Sequence, residues 1–348
     1  MLYVSISFLI VFFALYFYFV FSKKNSSVIR WALLLGVLVM GYFPLLAMFG
    51  LTKKMNVNYF YILNFVMING VILFLLVLLS KIVLIKKPIG NKIALSLLFL
   101  SIFATGHSFY EGLKVPPIKN IDIKTDKVKQ DYKIIFLSDI HLSRSVSVEK
   151  IKKLVERVND ENADAIILGG DIIDDEFNNI KPHLEELEKL SAKQGVHFVT
   201  GNHEVYKGLL YTILQMKSMN FKYMLNNGTD LGDVFIAGIP DIKTQRRTVY
   251  IEGAFDDADK SDYKILTTHT PHNFKEKNNF DLMLSGHTHG GQVFPFHILA
   301  KNHNKYLAGF YDLDNDSQIY VSRGAGQWGP QIRFLAPSEI TVLNIKPN

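Results

Sequence analysis

Eight residues between positions 139 and 289 of this chain are of types that hold metal ions: Asp139, His141, Asp171, Asn202, His203, His269, His287 and His289. They come from five separate places, and each place directly follows a short apolar run. Taken singly, an aspartate after a strand caps the next helix and an asparagine after glycine marks a turn. Eight such residues on one rim call for a common explanation. Carboxylate and amide oxygen combined with imidazole nitrogen, and no thiolate, suits Mn²⁺, Fe or Zn²⁺ and argues against a purely structural zinc site. Two ions roughly 3.5 to 4 Å apart need a bridging carboxylate and about three further ligands each, and these residues supply that set. The reaction that such a pair serves best is phosphoester hydrolysis, because two cations can clamp the attacking and leaving oxygens of an in-line displacement.

The rim implies a sheet. Seven runs, at 133–141, 164–171, 196–204, 233–241, 263–271, 280–289 and 318–324, read as buried strands that end in polar clusters. Between the early ones, "SVEKIKKLVERVNDEN" places Ile151, Leu154, Val155 and Val158 at helical spacing behind Ser147 as N-cap, and "HLEELEKLSAK" predicts a second helix closed by Gly195. This alternation predicts a layered α/β domain with parallel strands in its first half, and ligands bind outside the carboxyl ends of such strands.

The blocks D-x-H at 139–141, G-D at 170–171, G-N-H-E at 201–204, "THTP" around His269 and G-H-T-H at 286–289 together resemble the calcineurin-like metallophosphoesterase family, in the family's order. The resemblance implies an α/β layered sandwich with two divalent metal ions, Mn²⁺ foremost. One ion would be held by Asp139, His141, Asp171 and His289, and the second by Asp171 as the bridge with Asn202, His269 and His287. His203 would face the substrate, stabilising charge on the transferred phosphoryl group or protonating the leaving oxygen, and Asp174 would orient it. The phosphate-binding arginine that follows the orienting aspartate in the phosphoprotein phosphatase branch is replaced by Asp175, which disfavours a Ser/Thr protein phosphatase. The tail "SRGAGQWGPQIRFLAPSEI" looks instead like the bacterial membrane-associated branch that includes UDP-2,3-diacylglucosamine hydrolases of lipid A synthesis. Arg144, Arg323 and Arg333 are the expected contacts for a substrate phosphate.

The first third is of a different kind. Uncharged stretches at 2–21, 31–50, 55–80 and 93–110 each approach the roughly 18 to 25 apolar residues that cross a bilayer, so the sequence predicts four transmembrane helices ahead of the α/β domain. The first lacks a basic n-region and a small-residue cleavage site, which favours a retained anchor over a signal peptide. The expected organisation is a transmembrane region over 1–110, a linker over 111–130 running into an edge strand, and a phosphoesterase domain over 131–348, the whole in the cell (inner) membrane.

The net charge of +6 resides largely in short lysine-bearing loops between the spans, and there is no basic helix with interleaved aromatics, so nucleic acid is not an expected partner. Nor is an obligate protein partner. With no cysteine, disulfides are excluded. The loop charges favour both termini outside the cytoplasm, whereas a UDP-linked lipid is made on the cytoplasmic face; the two expectations conflict and leave sidedness open. The leading reading is a membrane-anchored phosphohydrolase acting on a phosphodiester or pyrophosphate, with a lipid-linked substrate such as UDP-2,3-diacylglucosamine and membrane lipids as partners. The alternatives are a broad phosphodiesterase of phospholipids or nucleotides, and a non-catalytic membrane sensor or scaffold.

Overall fold

The computed structural model describes residues 57–84, 91–272, 280–313 and 317–348, together with 26, 27, 29–31, 34 and 35. The chain divides into two compact units, 1–109 and 110–348.

In the first unit, α1 (Val57–Leu84) and the greater part of α2 (Asn91–Leu113) are long apolar helices. Ile29, Leu73, Phe74, Val77 and Ala94 form their shared core. Asn69 of α1 donates to Ser101 and Thr105 of α2 at 3.2 and 3.4 Å, which satisfies a side chain that would otherwise be costly in an apolar setting. Of the four expected spans, the third and fourth fall on described residues. Among the described residues two helices are long and apolar enough to cross a membrane, Tyr61–Ser80 and Lys92–Leu113; the stretch 2–21 and nearly all of 31–50 lie outside the described residues.

The second unit is an α/β sandwich of two six-stranded sheets. The first runs β1 (Ile118–Thr125), β12 (Ile340–Pro347), β2 (Tyr132–Leu137), β3 (Ala165–Leu168), β4 (Val196–Phe198) and β5 (Lys222–Tyr223). Pairing is parallel from β2 through β5, and β12 enters antiparallel to β2. The second runs β10 (Gly309–Asp312), β11 (Gln318–Val321), β9 (Leu282–Ser285), β8 (Tyr263–Thr267), β7 (Val234–Gly238) and β6 (Asn227–Asp230). Its four central strands are parallel and its two edges antiparallel.

The seven expected strands are all present, and their unbroken apolar character has a simple cause: both faces are covered. In β2, Ile134 and Phe136 point between the sheets, where they meet Val234, Ile236, Leu282 and Leu284. Ile135 and Leu137 point the other way, onto α3 (Val148–Asn159) and α4 (Phe177–Leu187) through Leu154, Val155, Ile180 and Leu184. Ser147 caps α3 as expected, accepting from Lys150 N at 3.2 Å. Gly195 does not close α4. That helix ends at Leu187, and Gly195 sits further on in a left-handed turn (φ 92°) that leads into β4. The region read as a linker contains β1, which pairs parallel with β12 as an edge strand.

The last turn of α2 is bound into the sandwich. The Gly112 carbonyl, one of the four that a helix end leaves without internal partners, accepts from Lys150 Nζ and Gln327 Nε2, both at 2.7 Å. Burial, reinforced by the charge of Arg333, pushes the Lys150 ammonium down to about 7 from 10.5. The folded chain therefore holds fewer protons than the unfolded chain between those values, and stability rises with pH across that window. Lys150→Met is expected to flatten this rise, as read by thermal unfolding of the full-length protein in detergent from about pH 7 to about pH 9.

Candidate metal centre

The carboxyl ends of β2, β3 and β4 in one sheet and of β8 and β9 in the other converge on one rim. Asp139 and His141 follow β2, Asp171 and Asp174 follow β3, and Asn202 and His203 open α5 (Asn202–Ser218) after β4. His269 follows β8, and His287 and His289 follow β9. The loops after β2 and β3 are laced together, with Asp139 N donating to Gly170 O and His141 N to Asp171 O, each at 3.0 Å. Asp139 ties the two sheets at this point, since both of its carboxylate oxygens accept from His287 N at 3.0 Å. Five of these residues, Asp139, His141, Asp171, His287 and His289, have left-handed φ values between 48° and 70°. Non-glycine residues avoid that region, and they persist there where the surroundings force a functional geometry. Two glycines make the close approach feasible: a Cβ at Gly201 would strike the Asp171 carboxylate, and one at Gly286 would strike that of Asp139.

Ligand atoms fall into overlapping groups whose members lie within 4.8 Å of one another: Asp139, His141 and His289; His141, Asp171 and His203; Asp171, His269 and His287. His141 Nε2 faces His289 Nε2 at 3.1 Å, and His289 Nε2 lies 3.3 Å from Asp139 Oδ1. His269 donates from Nδ1 to the Gly169 carbonyl at 2.8 Å, which turns its Nε2 toward Asp171 Oδ2 at 3.1 Å and His287 Nδ1 at 3.3 Å. Asn202 Oδ1 is buried with no hydrogen-bond partner among the described residues. Inward-facing acceptors and an orphaned amide oxygen fit divalent cations, because a buried acceptor left unpaired is costly. The potential agrees. Burial alone would lower the His269 pKa, but the Asp171 carboxylate, backed by Asp139 and Asp241, lifts it to about 10. The same negative field favours a cation at this place.

His203 stands at the open side, its side chain mostly buried. Its Nδ1 donates to Asp174 Oδ1 at 2.7 Å, so its Nε2 looks into the site, 3.9 Å from Asp171 Oδ2. Burial would depress this imidazole, yet the Asp174 hydrogen bond and the charge of Asp171 raise it above its ordinary value.

With this geometry in view, the similarities to known proteins are specific. A calcineurin-like phosphoesterase family model matches residues 132–291. A metallophosphoesterase of Campylobacter jejuni is 38% identical over 258 residues, covering 72% of this chain and 69% of the relative. The chain belongs to the calcineurin-like phosphoesterase family. This phosphoesterase is also 37% identical over 270 residues to a metallophosphoesterase of Helicobacter pylori, covering 75% of this chain and 72% of the relative. A "transmembrane protein with metallophosphoesterase domain" of Danio rerio is 27% identical over 272 residues, covering 72% of this chain and 62% of the relative. The protein is a metal-dependent phosphoester hydrolase.

The three arginines expected at the substrate phosphate are placed differently from one another. Arg144 of the phosphoesterase is clasped by Asp175 through two parallel hydrogen bonds, Nε to Oδ2 at 2.8 Å and Nη2 to Oδ1 at 3.0 Å. Asp175, the residue that departs from the phosphatase pattern, thus already engages the guanidinium. Arg323 pairs with Glu339 at 3.3 Å and remains partly exposed. Arg333 is corrected outright: it is 0% exposed, and its Nη atoms donate to the carbonyls of His289 at 3.0 Å and Arg323 at 2.7 Å, among others. Its fork braces the backbone under His289 instead of meeting solvent.

Two residues at the phosphoesterase site went unassigned from sequence. Lys243 Nζ sits 2.9 Å from His287 Nε2 and 3.0 Å from Asn304 Oδ1, and nothing in its sequence surroundings distinguishes it. Glu204 is fully buried and accepts four backbone N–H groups: Gly201 at 2.7 Å, Asp171 at 2.9 Å, Ile172 at 2.7 Å and Ile173 at 3.2 Å. Its signal was legible, since a glutamate at the third position of a helix is the acidic half of a capping box. Glu204→Gln keeps the shape but turns an NH₂ toward two donors. The expected cost is about 2 to 3 kcal/mol, read as a lower unfolding midpoint of the full-length protein.

Proposed function

We propose that the protein is a membrane-anchored dinuclear phosphohydrolase that cleaves a phosphodiester or pyrophosphate bond in a lipid-linked substrate. The observation that carries the dinuclear reading is the position of Asp171, whose Oδ2 lies between the two sets of imidazoles, 3.1 Å from His269 Nε2 and 3.8 Å from His141 Nε2. On this reading Asp139, His141, Asp171 and His289 hold one ion, and Asp171, Asn202, His269 and His287 hold the other. The donors suit Mn²⁺, with Fe or Zn²⁺ as the alternatives. When bound, such a pair supplies Lewis acidity toward phosphoryl oxygens and a water made acidic enough to act as nucleophile. His203 contributes a charged hydrogen bond to the phosphoryl group from Nε2 and a proton for the leaving oxygen, while Asp174 fixes its tautomer. Lys243, and Arg323 if it parts from Glu339, are among the cations available to more distant phosphate oxygens.

Two membrane-compatible helices on the same chain, and a relative named for its transmembrane character, support a substrate that resides in the bilayer. The test is hydrolysis by full-length, chelator-stripped protein, with and without restored Mn²⁺, of a phospholipid, UDP-2,3-diacylglucosamine and a soluble aryl phosphodiester. Mn²⁺-dependent turnover of a lipid ester is expected. Turnover of the soluble ester alone would defeat the lipid assignment.

A further inference from the structure

The helix α6 (Phe296–Asn304) begins five residues after Gly291, and its sequence FHILAKNHN contributes no buried residue. Phe296, Ile298 and Leu299 are each about half exposed, which is unusual for three large apolar side chains on nine residues of a water-facing surface. They are not alone. The segment around Arg333 and the segment that follows His289 are zipped together: Gln292 exchanges hydrogen bonds with the Trp328 backbone at 2.8 and 3.0 Å, and Phe294 N donates to Phe334 O at 3.0 Å. This zipper adds Phe294, Trp328 at 60% exposure and Leu335 at 73% to the same ledge.

What covers the ledge is indicated by its neighbour. Gln327, the residue before Trp328, holds the carbonyl of Gly112, in the last turn of the apolar helix α2, long enough to cross a membrane. The apolar ledge therefore adjoins residues 110–113, the start of the second unit, which the chain enters directly from the apolar stretch that precedes it. Its polar trim has the matching sign: Lys301 lies in the last turn of α6 and Lys305 follows the helix. An apolar face edged by cations is the pattern of elements that lie in the boundary between acyl chains and anionic headgroups.

We propose that this ledge sits in the headgroup boundary of an anionic bilayer and that lipid phosphoesters reach the metal centre across it. The second half rests on the lipid-substrate reading above; the first does not. The route is short, because the ledge grows out of the chain that carries His289, and Arg333 braces His289 from within the same zipper. A lipid would need only to raise its phosphate from the boundary, leaving its acyl chains beside Phe296 and Leu299.

The chain has two tryptophans, so full-length Trp31→Phe leaves Trp328 as sole reporter. In vesicles of phosphatidylethanolamine and phosphatidylglycerol with brominated acyl chains, Trp328 emission is expected to be quenched by the lipid and shielded from acrylamide. Emission open to acrylamide and untouched by bromine would overturn the docking. In a second arm, the variant with Phe296→Ser, Ile298→Ser and Leu299→Ser is expected to hydrolyse a soluble aryl phosphodiester at the wild-type rate. Its turnover of vesicle phospholipid should fall roughly tenfold or more. Equal loss in both assays, or full retention of lipid turnover, would overturn the entry route. If Trp328 is quenched and the wild type hydrolyses only the soluble ester, the docking stands and the lipid-substrate reading fails.

Discussion

Asp171→Asn is expected to leave the protein folded, reduce its metal content from two ions to one or none, and lower turnover on the order of a thousandfold. The substitution conserves shape and removes charge. Burial alone would raise the Asp171 pKa, but the imidazoles of His269, His141 and His203 outweigh it and hold the carboxyl far below the usual range. In wild type the group is therefore an anion at any physiological pH. An amide would keep the acceptor for His203 N, now served by Oδ1 at 2.9 Å, and would aim an NH₂ into the space that Oδ2 occupies. Donor hydrogens there repel a cation from both ligand groups at once. Metal analysis of the purified variant, alongside turnover of an aryl phosphodiester, checks this. Two tightly bound ions with near-normal turnover would exclude Asp171 as the shared ligand.

His203→Gln should behave differently, with full metal content and turnover lower by about 10² to 10⁴, the range spanned by a positioned acid. The loss should depend on the leaving group. An alcohol that departs readily as an anion needs little protonation, so the defect should shrink toward nitrophenyl esters and grow toward alkyl esters. Asp174→Asn, which leaves the imidazole present without its 2.7 Å acceptor, should cost less, roughly 10 to 100-fold. A defect independent of the leaving group would remove the acid role and leave only charge stabilisation. Loss of metal from the His203 variant would instead make it a ligand, as its membership of a cluster with His141 and Asp171 allows on distance alone.

The sandwich strands were legible because both sheets are covered on both faces, so each core strand is an uninterrupted apolar run whose end coincides with a polar cluster. The same logic concealed the rest. β6, with sequence NGTD, is a mostly exposed edge held by pairing to β7, and it carries no periodicity to read. α4 was visible, but its stop was misplaced at Gly195 because that glycine serves the following turn instead. At the site, residue types and order identified the rim, whereas the fate of each arginine depended on contacts distant in sequence. Arg333 and His289 are far apart along the chain, and only folding shows that the guanidinium is a brace. The spans at 2–21 and 31–50 rest on composition alone.

The left-handed backbone at Asp139, His141, Asp171, His287 and His289 bears on the life of the protein in a cell. Each such residue costs on the order of 1 to 3 kcal/mol, which the surrounding structure must offset, and a ligand that binds only the folded form adds to its stability by mass action. A newly made chain short of divalent cations would carry the strain without that support, and its rim loops would open most often. Since proteases act on what opens, the abundance of this enzyme should track the ion supply of the compartment that its site faces, independently of how much message is translated.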